Sequence, residues 1–398
     1  MKILLVDPAY KTPLPPLGLL KLGRFHRERG DFAAFVKGTS NTALNEEWDR
    51  IYVSSLFTFQ WRTTLKTLRF YEGAVKNPNK NLFAGGPMAT LLGRELAGAA
   101  RCRPIPGVLD TAEKIGLERV DVDALLPDFS LIPQKGMYPL LNEGWIASAT
   151  RGCGGQCAFC SVREVDPRCV DYVPLDRQAE NCRQYLGERD LLVLLDNNVA
   201  GSPFLERIVR DILALGFDAR TAPGKPSKRV DFSQGFEPAL LAGKDGERRA
   251  ELLSALPLRP VRIAWDFTGE EAIYRTAAGA FASRGFRTFS TPVLYGFMDR
   301  PGDAYYRFRK IIELEMELGI EVLIEPMGYI PPGAKRRPSP RERARAWGCS
   351  AAEAQRFEEL ARSLAKRKSG DLEWFKERFG RSGDEFSCIL RSAPRPRP

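Results

Sequence analysis

The sequence predicts an α/β protein built on parallel sheets, and three observations lead to this fold class. Short runs of Val, Ile, Leu and Phe alternate with longer segments of helical periodicity along most of the chain. The 398 residues are 43% hydrophobic, which is typical of a globular protein with two or three domains. Strands that alternate with helices form parallel sheets whose faces the helices cover.

Residues 1–140 are predicted to form a Rossmann-like or flavodoxin-like domain. Gly85 and Gly86 follow its fourth strand, where paired glycines are typical of a tight turn into a helix. The predicted strands are 2–7, 32–36, 50–54 and 81–84, and the helical patterns lie at about 17–29, 60–75 and 88–98.

Residues 141–330 are predicted to form a partial (β/α)6 barrel of the TIM type. Six strand-plus-helix units follow one another, and ligands of such barrels gather at the carboxyl ends of the strands. The predicted strands are 145–150, 191–196, 229–234, 261–266, 287–296 and 321–326, with helical patterns at about 176–187, 203–215, 247–255, 270–284 and 303–318.

Residues 331–398 are predicted to be a small, basic, helical extension. They contain 17 Lys and Arg against 9 Asp and Glu, with helical patterns at about 341–346, 350–368 and 371–379. Such an extension suits nucleic acid or another anionic partner. The alternative is a set of solvated helices, because aromatic residues that stack on bases are sparse here.

Composition restricts the class of protein. No apolar run approaches the eighteen or so residues that span a bilayer, and Asp7 ends the first apolar run. We therefore expect a cytoplasmic protein without a membrane partner, whose eight cysteines stay reduced. The single histidine, His26, leaves little imidazole for acid–base chemistry, and we expect it at the surface or cap of the first helix.

Three cysteines, Cys153, Cys157 and Cys160, are spaced C-x3-C-x2-C on a glycine-rich stretch. Thiolates are soft ligands, and three of them on one loop suit an iron–sulfur cluster with one iron left open. A zinc site is the alternative, with Cys169 or Cys182 as a fourth ligand. The other cysteines match no compact motif, and we expect them to behave as small hydrophobic residues.

Polar residues follow the predicted barrel strands. Buried polar groups are costly unless they are paired, so these positions are candidates for ligand contacts. The alternatives are helix capping for Asp196 and Asn198, and ion pairing inside the barrel for Arg262 and Asp266. The candidates are Asp196, Asn197 and Asn198 after the second strand, Asp231 and Gln234 in the third, Arg262 and Asp266 in the fourth, and Gly296 after the fifth.

The cysteine spacing, the aromatic Phe159 before the last cysteine and the preceding Arg151-Gly152 resemble the cluster loop of radical S-adenosylmethionine (SAM) enzymes. The resemblance implies a [4Fe–4S] cluster whose open iron chelates SAM, reductive cleavage to a 5′-deoxyadenosyl radical, and an electron donor such as flavodoxin or ferredoxin. The implied SAM contacts are Phe159 and Gly296 at the adenine, Asp196, Asn197 and Asn198 at the amino group, and Gln234 and Asp266 at the ribose or carboxylate.

The layout of 1–140 resembles the cobalamin-binding domain of one radical SAM subgroup. The matching features are the strand ending in Asp7-Pro8, the segment 16–22 and Gly85-Gly86-Pro87. The Asp-x-His-x-x-Gly pattern of the cobalt ligand is not met, because Arg24 stands where the Asp would be. Cobalamin stays possible, since some members bind it without that histidine, and the reaction would then be methyl transfer.

Two classes of function follow from the sequence. In the first, the chain is a radical SAM enzyme that modifies an unidentified substrate. In the second, it is a binding or regulatory protein with zinc or a structural cluster, associated with nucleic acid through its basic extension and without SAM cleavage.

Overall fold

A computed structural model describes residues 1–134, 136–219, 228–368 and 370–392. The chain forms two compact units. Unit 1 comprises residues 1–190 and 331–337, and unit 2 comprises 191–330 and 338–398. Across the described ranges, no helix has both the length and the apolar character needed to cross a membrane.

Unit 1 contains a parallel five-stranded sheet in the order β2-β1-β3-β4-β5. This is the order of flavodoxin-like doubly wound sheets. Its strands are β1 (Lys2–Asp7), β2 (Phe32–Lys37), β3 (Arg50–Ser54), β4 (Leu82–Gly85) and β5 (Arg103–Ile105), followed by β6 (Gly144–Ala147), β7 (Thr150–Arg151) and β8 (Val170–Asp171). Its helices are α1 (Leu17–Glu28), α2 (Asn41–Leu44), α3 (Trp61–Tyr71), α4 (Pro78–Asn81), α5 (Pro87–Leu91), α6 (Gly93–Ala99), α7 (Leu140–Glu143), α8 (Val162–Val165) and α9 (Leu175–Leu186).

The central strands of this sheet are buried because helices cover them. Ile3, Leu4, Leu5 and Val6 of β1 are fully buried, and a run without polar alternation is what a strand covered on both faces requires. Asp7 ends β1 and is buried, with its carboxylate accepting hydrogen bonds from the hydroxyls of Ser54 (2.8 Å) and Tyr138 (2.6 Å). The carboxyl end of β1 is thus fixed by paired polar groups.

The prediction that His26 lies at the surface was wrong. His26 is in the last turn of α1 and is fully buried. Its Nδ1 lies 2.7 Å from the carboxylate of Asp31, and its Nε2 lies 3.0 Å from the hydroxyl of Tyr52. Burial lowers the pKa of His26. Both ring nitrogens are therefore engaged in holding α1 to the sheet.

Unit 2 repeats a strand-plus-helix pattern in chain order. β9 pairs with β10, and β11, β12 and β13 form a second ladder, all parallel. Isolated bridges, among them Phe236 to Ile263, join the two ladders. The strands are β9 (Leu191–Leu194), β10 (Arg229–Phe232), β11 (Val261–Arg262), β12 (Thr288–Tyr295) and β13 (Glu321–Gly328). The helices are α10 (Leu205–Ala214), α11 (Pro238–Ala242), α12 (Gly246–Ser254), α13 (Glu271–Ala282), α14 (Pro301–Leu318), α15 (Pro340–Trp347), α16 (Ala351–Ser363), α17 (Leu372–Phe379) and α18 (Gly383–Arg391).

The carboxyl-terminal helices pack onto unit 2 through aromatic side chains. Tyr305 of α14 stacks on Phe386 of α18 with ring centroids 4.7 Å apart, and Phe375 stacks on Phe379 at 4.5 Å. All four rings are buried. The aromatic residues of this region therefore form a hydrophobic core with α14, and this core explains why few of them are available at its surface.

A buried ion pair connects the same helices to strand β13. Glu315 of α14 and Arg367, which follows α16, are both almost fully buried and lie 2.7 Å apart. Glu315 also accepts a hydrogen bond of 2.6 Å from the backbone amide of Val322 in β13. When a charge pair is buried in this way, removal of either partner strongly destabilises the fold.

Replacement of Arg367 by Ala is expected to lower the free energy of unfolding by about 3 kcal/mol, because the Glu315 carboxylate would remain buried without its counter-charge. Urea denaturation at pH 7 measures the effect. The control is Lys368→Ala, which changes an exposed neighbour and should alter stability by less than about 0.5 kcal/mol. Equal effects of the two substitutions would contradict the assignment.

Candidate functional site

The three cysteines lie on the connection of a short hairpin in unit 1. β7 and β8 pair antiparallel, with Thr150 opposite Asp171 and Arg151 opposite Val170. The connecting residues 152–169 carry Cys153, Cys157 and Cys160, together with the short helix α8. The two strands therefore fix both ends of the cysteine loop.

Gly152 allows the loop to close. Its backbone has φ of +73°, in the left-handed region that favours glycine. A Cβ atom at this position would lie 2.2 Å from the carbonyl oxygen of Arg168 and 2.6 Å from that of Asp166. The amide of Cys153 donates to the same Asp166 carbonyl at 3.3 Å. Any larger residue at 152 would push the first cysteine away from this backbone.

Arg151 is held on two sides by carboxylates. Its Nε lies 2.6 Å from Oδ2 of Asp166, and its Nη1 forms an ion pair with Asp123. Lys21 of α1 contacts the same Asp123 carboxylate at 3.5 Å, and the hydroxyl of Tyr172 donates to the Asp123 carbonyl at 3.0 Å. Burial lowers the pKa of Lys21 to about 8. These groups link the hairpin to the five-stranded sheet.

Lys21, Asp123 and Asp166 belong to no motif that the sequence reveals. Asp123 lies 28 residues before its partner Arg151, and Asp166 lies 15 residues after it. No spacing rule connects such positions. The available signal was only that an arginine next to the cysteine loop would need a carboxylate partner.

Two of the three cysteine sulfurs face a common glycine. The Sγ atom of Cys153 accepts a hydrogen bond of 3.3 Å from the amide of Gly155. A Cβ atom at Gly155 would lie 3.2 Å from that sulfur and 3.9 Å from Sγ of Cys157. Glycine thus leaves room for a group held by both thiolates. Cys157 is exposed, and Cys160 and Phe159 are half-buried.

Among the described residues, no three His, Cys, Asp or Glu side chains converge closely enough to hold a single metal ion. The loop cysteines are therefore neighbours along the loop rather than a closed ligand cage. Metal binding commonly completes such a cage, because thiolates have no attraction for one another.

Two of the remaining cysteines are small buried side chains, as predicted. Cys102 and Cys182 are almost fully buried, and burial raises the pKa of each thiol to about 11. The thiol of Cys182 donates to the carbonyl of Ile146 at 3.6 Å. A protonated, buried thiol is a poor metal ligand.

The polar residues after β9 lie close to those after β10 in unit 2. Asp196 is buried and Asn197 is half-buried. The amide of Asn198 donates to Glu237 at 3.0 Å, while its Oδ1 is buried without a hydrogen-bond partner. The short turn that begins at Asn198 receives no side-chain cap from it. Asn198 thus offers a free acceptor, and the capping alternative does not describe its contacts.

Arg262 is paired with residues of neighbouring strands. Its guanidinium makes two hydrogen bonds to Asp231, of 2.8 and 3.0 Å, and others to Ser290 and Glu325. The residues come from four consecutive strands, β10 to β13. The predicted alternative of ion pairing therefore describes the contacts of Arg262, whose charge the Asp231 carboxylate balances.

Arg307 joins the carboxyl ends of β11 and β12. It is fully buried, donates to the carbonyls of Trp265 (3.2 Å) and Leu294 (2.8 Å) and to that of Asp266, and pairs with Asp299 at 2.6 Å. Asp299 in turn accepts a hydrogen bond of 2.6 Å from the amide of Gly296. Asp266 and Gly296 are therefore fixed by one buried network.

Burial raises the pKa of Asp266 to about 6, and the neighbouring Glu270 adds to the shift. A buried carboxyl group whose pKa is raised in this way is a candidate for a ligand contact. Gln234 differs from the other candidates because it is exposed, with only a long contact of 3.5 Å to the hydroxyl of Ser233.

Solved structures of other proteins resemble this chain in fold. No protein-family model matches the chain, and no curated protein sequence matches it. The radical SAM methyltransferase TsrM from Kitasatospora setae, solved with tryptophan and a SAM analogue, matches 83% of this chain and 75% of its own, with a TM-score of 0.56 and 13% identity. The chain therefore resembles this methyltransferase in its fold.

A second solved structure also resembles the chain in fold. The cobalamin-dependent SAM radical enzyme OxsB matches 93% of this chain with a TM-score of 0.51 and 12% identity. The chain corresponds to 56% of the length of OxsB. At these identities the likeness concerns the fold, and the predicted α/β class with parallel sheets is confirmed.

Gly152→Ala is expected to reduce iron incorporation at least fivefold after anaerobic reconstitution, because its Cβ atom would collide with the Arg168 carbonyl. The measurement is iron and sulfide per folded chain. Gly154→Ala is the matched control, since nothing lies within 4 Å of its Cβ position, and it should bind iron as the wild type does. Normal iron binding by Gly152→Ala would contradict the proposed loop closure.

Asp266→Asn is expected to raise the free energy of unfolding by about 2 kcal/mol at pH 7.5 while weakening SAM binding. The folded pKa lies above the ordinary value, so protonation stabilises the wild-type fold as pH falls from about 6 to 4, and the advantage of the variant disappears over that window. Urea denaturation at pH 4 and 7.5 measures this.

The contrasting variant is Asp299→Asn. It should destabilise the fold at pH 7.5 because it leaves the buried Arg307 guanidinium without its carboxylate. A loss of stability in Asp266→Asn as large as that in Asp299→Asn would show that the Asp266 carboxylate is itself a structural partner.

Proposed function

We propose that the chain is a radical SAM enzyme that binds a [4Fe–4S] cluster and cleaves SAM reductively. The observation that carries the proposal is the C-x3-C-x2-C loop on a hairpin closed by Gly152 and Arg151, in a chain whose fold resembles that of a radical SAM methyltransferase. Neither feature alone would be sufficient. A shared fold hosts many functions, whereas the loop is the part of this fold that bears ligands.

Cys153, Cys157 and Cys160 are the proposed ligands. The donor set fits the cluster, because three soft thiolates suit three irons and Gly155 leaves space beside two of the sulfurs. When bound, the cluster would supply one electron that cleaves a carbon–sulfur bond of the SAM sulfonium and gives methionine and the 5′-deoxyadenosyl radical. The proposed source of that electron is a flavodoxin or ferredoxin.

The residues at the carboxyl ends of β9 to β12 are the proposed SAM ligands. The buried, unpartnered Oδ1 of Asn198 suits the amino group of SAM, from which it would accept an N–H hydrogen bond. Asp196 and Asn197 belong to the same turn. Asp266 and the exposed Gln234 are assigned to the ribose or carboxylate, and Gly296 and Phe159 to the adenine.

The residues do not fit a histidine-ligated cobalamin. His26 is buried and both of its ring nitrogens are engaged, by Asp31 and Tyr52. The proposed function therefore contains no step on a histidine-ligated cobalamin. Cobalamin bound without a histidine ligand, with methyl transfer as the reaction, stays a prediction; without cobalamin, the radical would act directly on the substrate by abstracting a hydrogen atom.

The proposed organisation keeps the three predicted regions. Residues 1–140 are a Rossmann-like domain, 141–330 a partial (β/α)6 radical SAM barrel, and 331–398 a helical extension. Cytoplasm is the proposed compartment, because its reducing conditions preserve free thiolates for a cluster. An interaction of the basic extension with nucleic acid stays a prediction.

The decisive experiment is anaerobic reconstitution followed by reduction with dithionite in the presence of SAM. Wild-type protein should bind about four irons and four sulfides and release 5′-deoxyadenosine, because three cysteine-ligated irons leave one iron for SAM. Cys157→Ala should lose at least 90% of the 5′-deoxyadenosine.

The matched control is Cys102→Ala, which replaces a buried thiol outside the loop and should keep full SAM cleavage if the protein remains folded. Bound zinc with no 5′-deoxyadenosine from the wild type would overturn the proposal in favour of a metal-stabilised binding protein.

A further inference from the structure

The helical extension places an arginine against the ends of two barrel strands within unit 2. Gly296 follows β12, and Gly328 ends β13. A Cβ atom at Gly296 would lie 2.7 Å from Nη1 of Arg343, and one at Gly328 would lie 2.5 Å from Nη2. Arg343 belongs to α15. At both strand ends, a side chain would collide with the guanidinium, and glycine leaves room for it.

Arg343 is held from one side only. Its side chain is 7% exposed, and its Nε lies 2.5 Å from Oε1 of Glu358 in an ion pair without hydrogen-bond geometry. The guanidinium also lies 5.1 Å above the ring of Tyr295. Of its nitrogen atoms, only Nε is a buried atom without a hydrogen-bond partner in the described part of the chain. The two Nη atoms are not among such buried atoms, and they are therefore the donors within reach of a ligand.

A second donor lies at the same place. Trp347, one turn further along α15, is 6% exposed, and its indole Nε1 is buried with no hydrogen-bond partner in the described structure. Its Cζ2 atom lies 3.7 Å from the Cβ position of Gly296. A buried donor without an acceptor costs about 1–3 kcal/mol. This buried donor, together with the Nη donors of Arg343 beside the same glycine, indicates an acceptor that binds there.

The surroundings are aromatic and apolar. Phe297, next to Gly296, contacts Tyr329 with ring centroids 4.8 Å apart and Phe267 at 6.3 Å. Phe267 is 38% exposed, and the neighbouring Met298 is 90% exposed. A ligand that reaches Arg343 along this edge would meet aromatic faces as well as the cation.

We propose that Arg343 and Trp347 bind a carboxylate group of the substrate, so that the extension is a substrate-binding element. The fork of two Nη atoms matches the two oxygens of a carboxylate, and the indole N–H adds a third donor. The ion pair between Nε of Arg343 and Glu358 orients the guanidinium. The aromatic residues suit a substrate whose carboxylate is attached to an aromatic or apolar body.

Binding at this site can be measured without the cluster or SAM. Only the identification of the ligand as substrate rests on the proposed function. The probe is phenylacetate, a carboxylate with an aromatic body, and its neutral counterpart is phenylacetamide. Saturation-transfer NMR titrations use the full chain without cluster or SAM. The wild type should bind phenylacetate at least tenfold more tightly than phenylacetamide.

Arg343→Met should weaken phenylacetate binding at least tenfold, because it removes the charged donor while keeping the length of the side chain. Arg345→Met is the matched control, since Arg345 is exposed on the same helix, and it should bind phenylacetate as the wild type does. Arg343→Lys should restore part of the affinity. Trp347→Phe, which keeps the packing and removes the N–H, should weaken binding severalfold.

Thermal unfolding of each variant separates this role from a structural one. Loss of binding in a variant that unfolds at the wild-type temperature supports the proposal. If phenylacetate does not saturate the wild type, or binds Arg343→Met equally well, the proposal is wrong. Either result would leave 5′-deoxyadenosine formation as an independent test of the enzyme class.

Discussion

The arrangement of the candidate cluster site depends on the closure of one hairpin. β7 and β8 are only two residues long, so their few backbone contacts cannot fix a connection of 18 residues alone. The closure comes from Arg151, which pairs with Asp123 and Asp166, and from Gly152, whose missing side chain lets the loop meet the backbone at Arg168. Charge pairs that hold a flexible loop reduce the conformational entropy that binding must otherwise overcome.

In unit 2, buried arginines stabilise the ends of the strands. Parallel strands end with free backbone carbonyls, and Arg307 satisfies several of them at the ends of β11 and β12 while pairing with Asp299. Arg262 joins four strands, β10 to β13. Polar atoms that these networks do not use, namely Oδ1 of Asn198 and Nε1 of Trp347, remain available to ligands. Polar groups with protein partners thus stabilise the fold, whereas polar groups without such partners are available to bind ligands.

Local patterns allowed most of the fold to be predicted. Strands such as β1 and β9, and long helices such as α14, follow from apolar runs and periodicity. β5 was missed because Arg103–Ile105 is short and contains a proline, and the nine-residue helix α18 was also missed. The cysteine positions follow from their compact spacing. The contacts of Arg151, His26 and Arg343 could not be predicted, because their partners lie elsewhere in the chain and burial is decided by tertiary packing.

The central claim is that the loop cysteines leave one iron open for SAM. The most direct measurement is electron–nuclear double resonance of the reduced, reconstituted protein with SAM labelled by ¹⁵N at the amino group and ¹⁷O at the carboxylate. The account predicts hyperfine coupling of both nuclei to the cluster spin, and its loss in Cys157→Ala. A cluster signal without coupling to either label would contradict the account, because SAM would then not be an iron ligand.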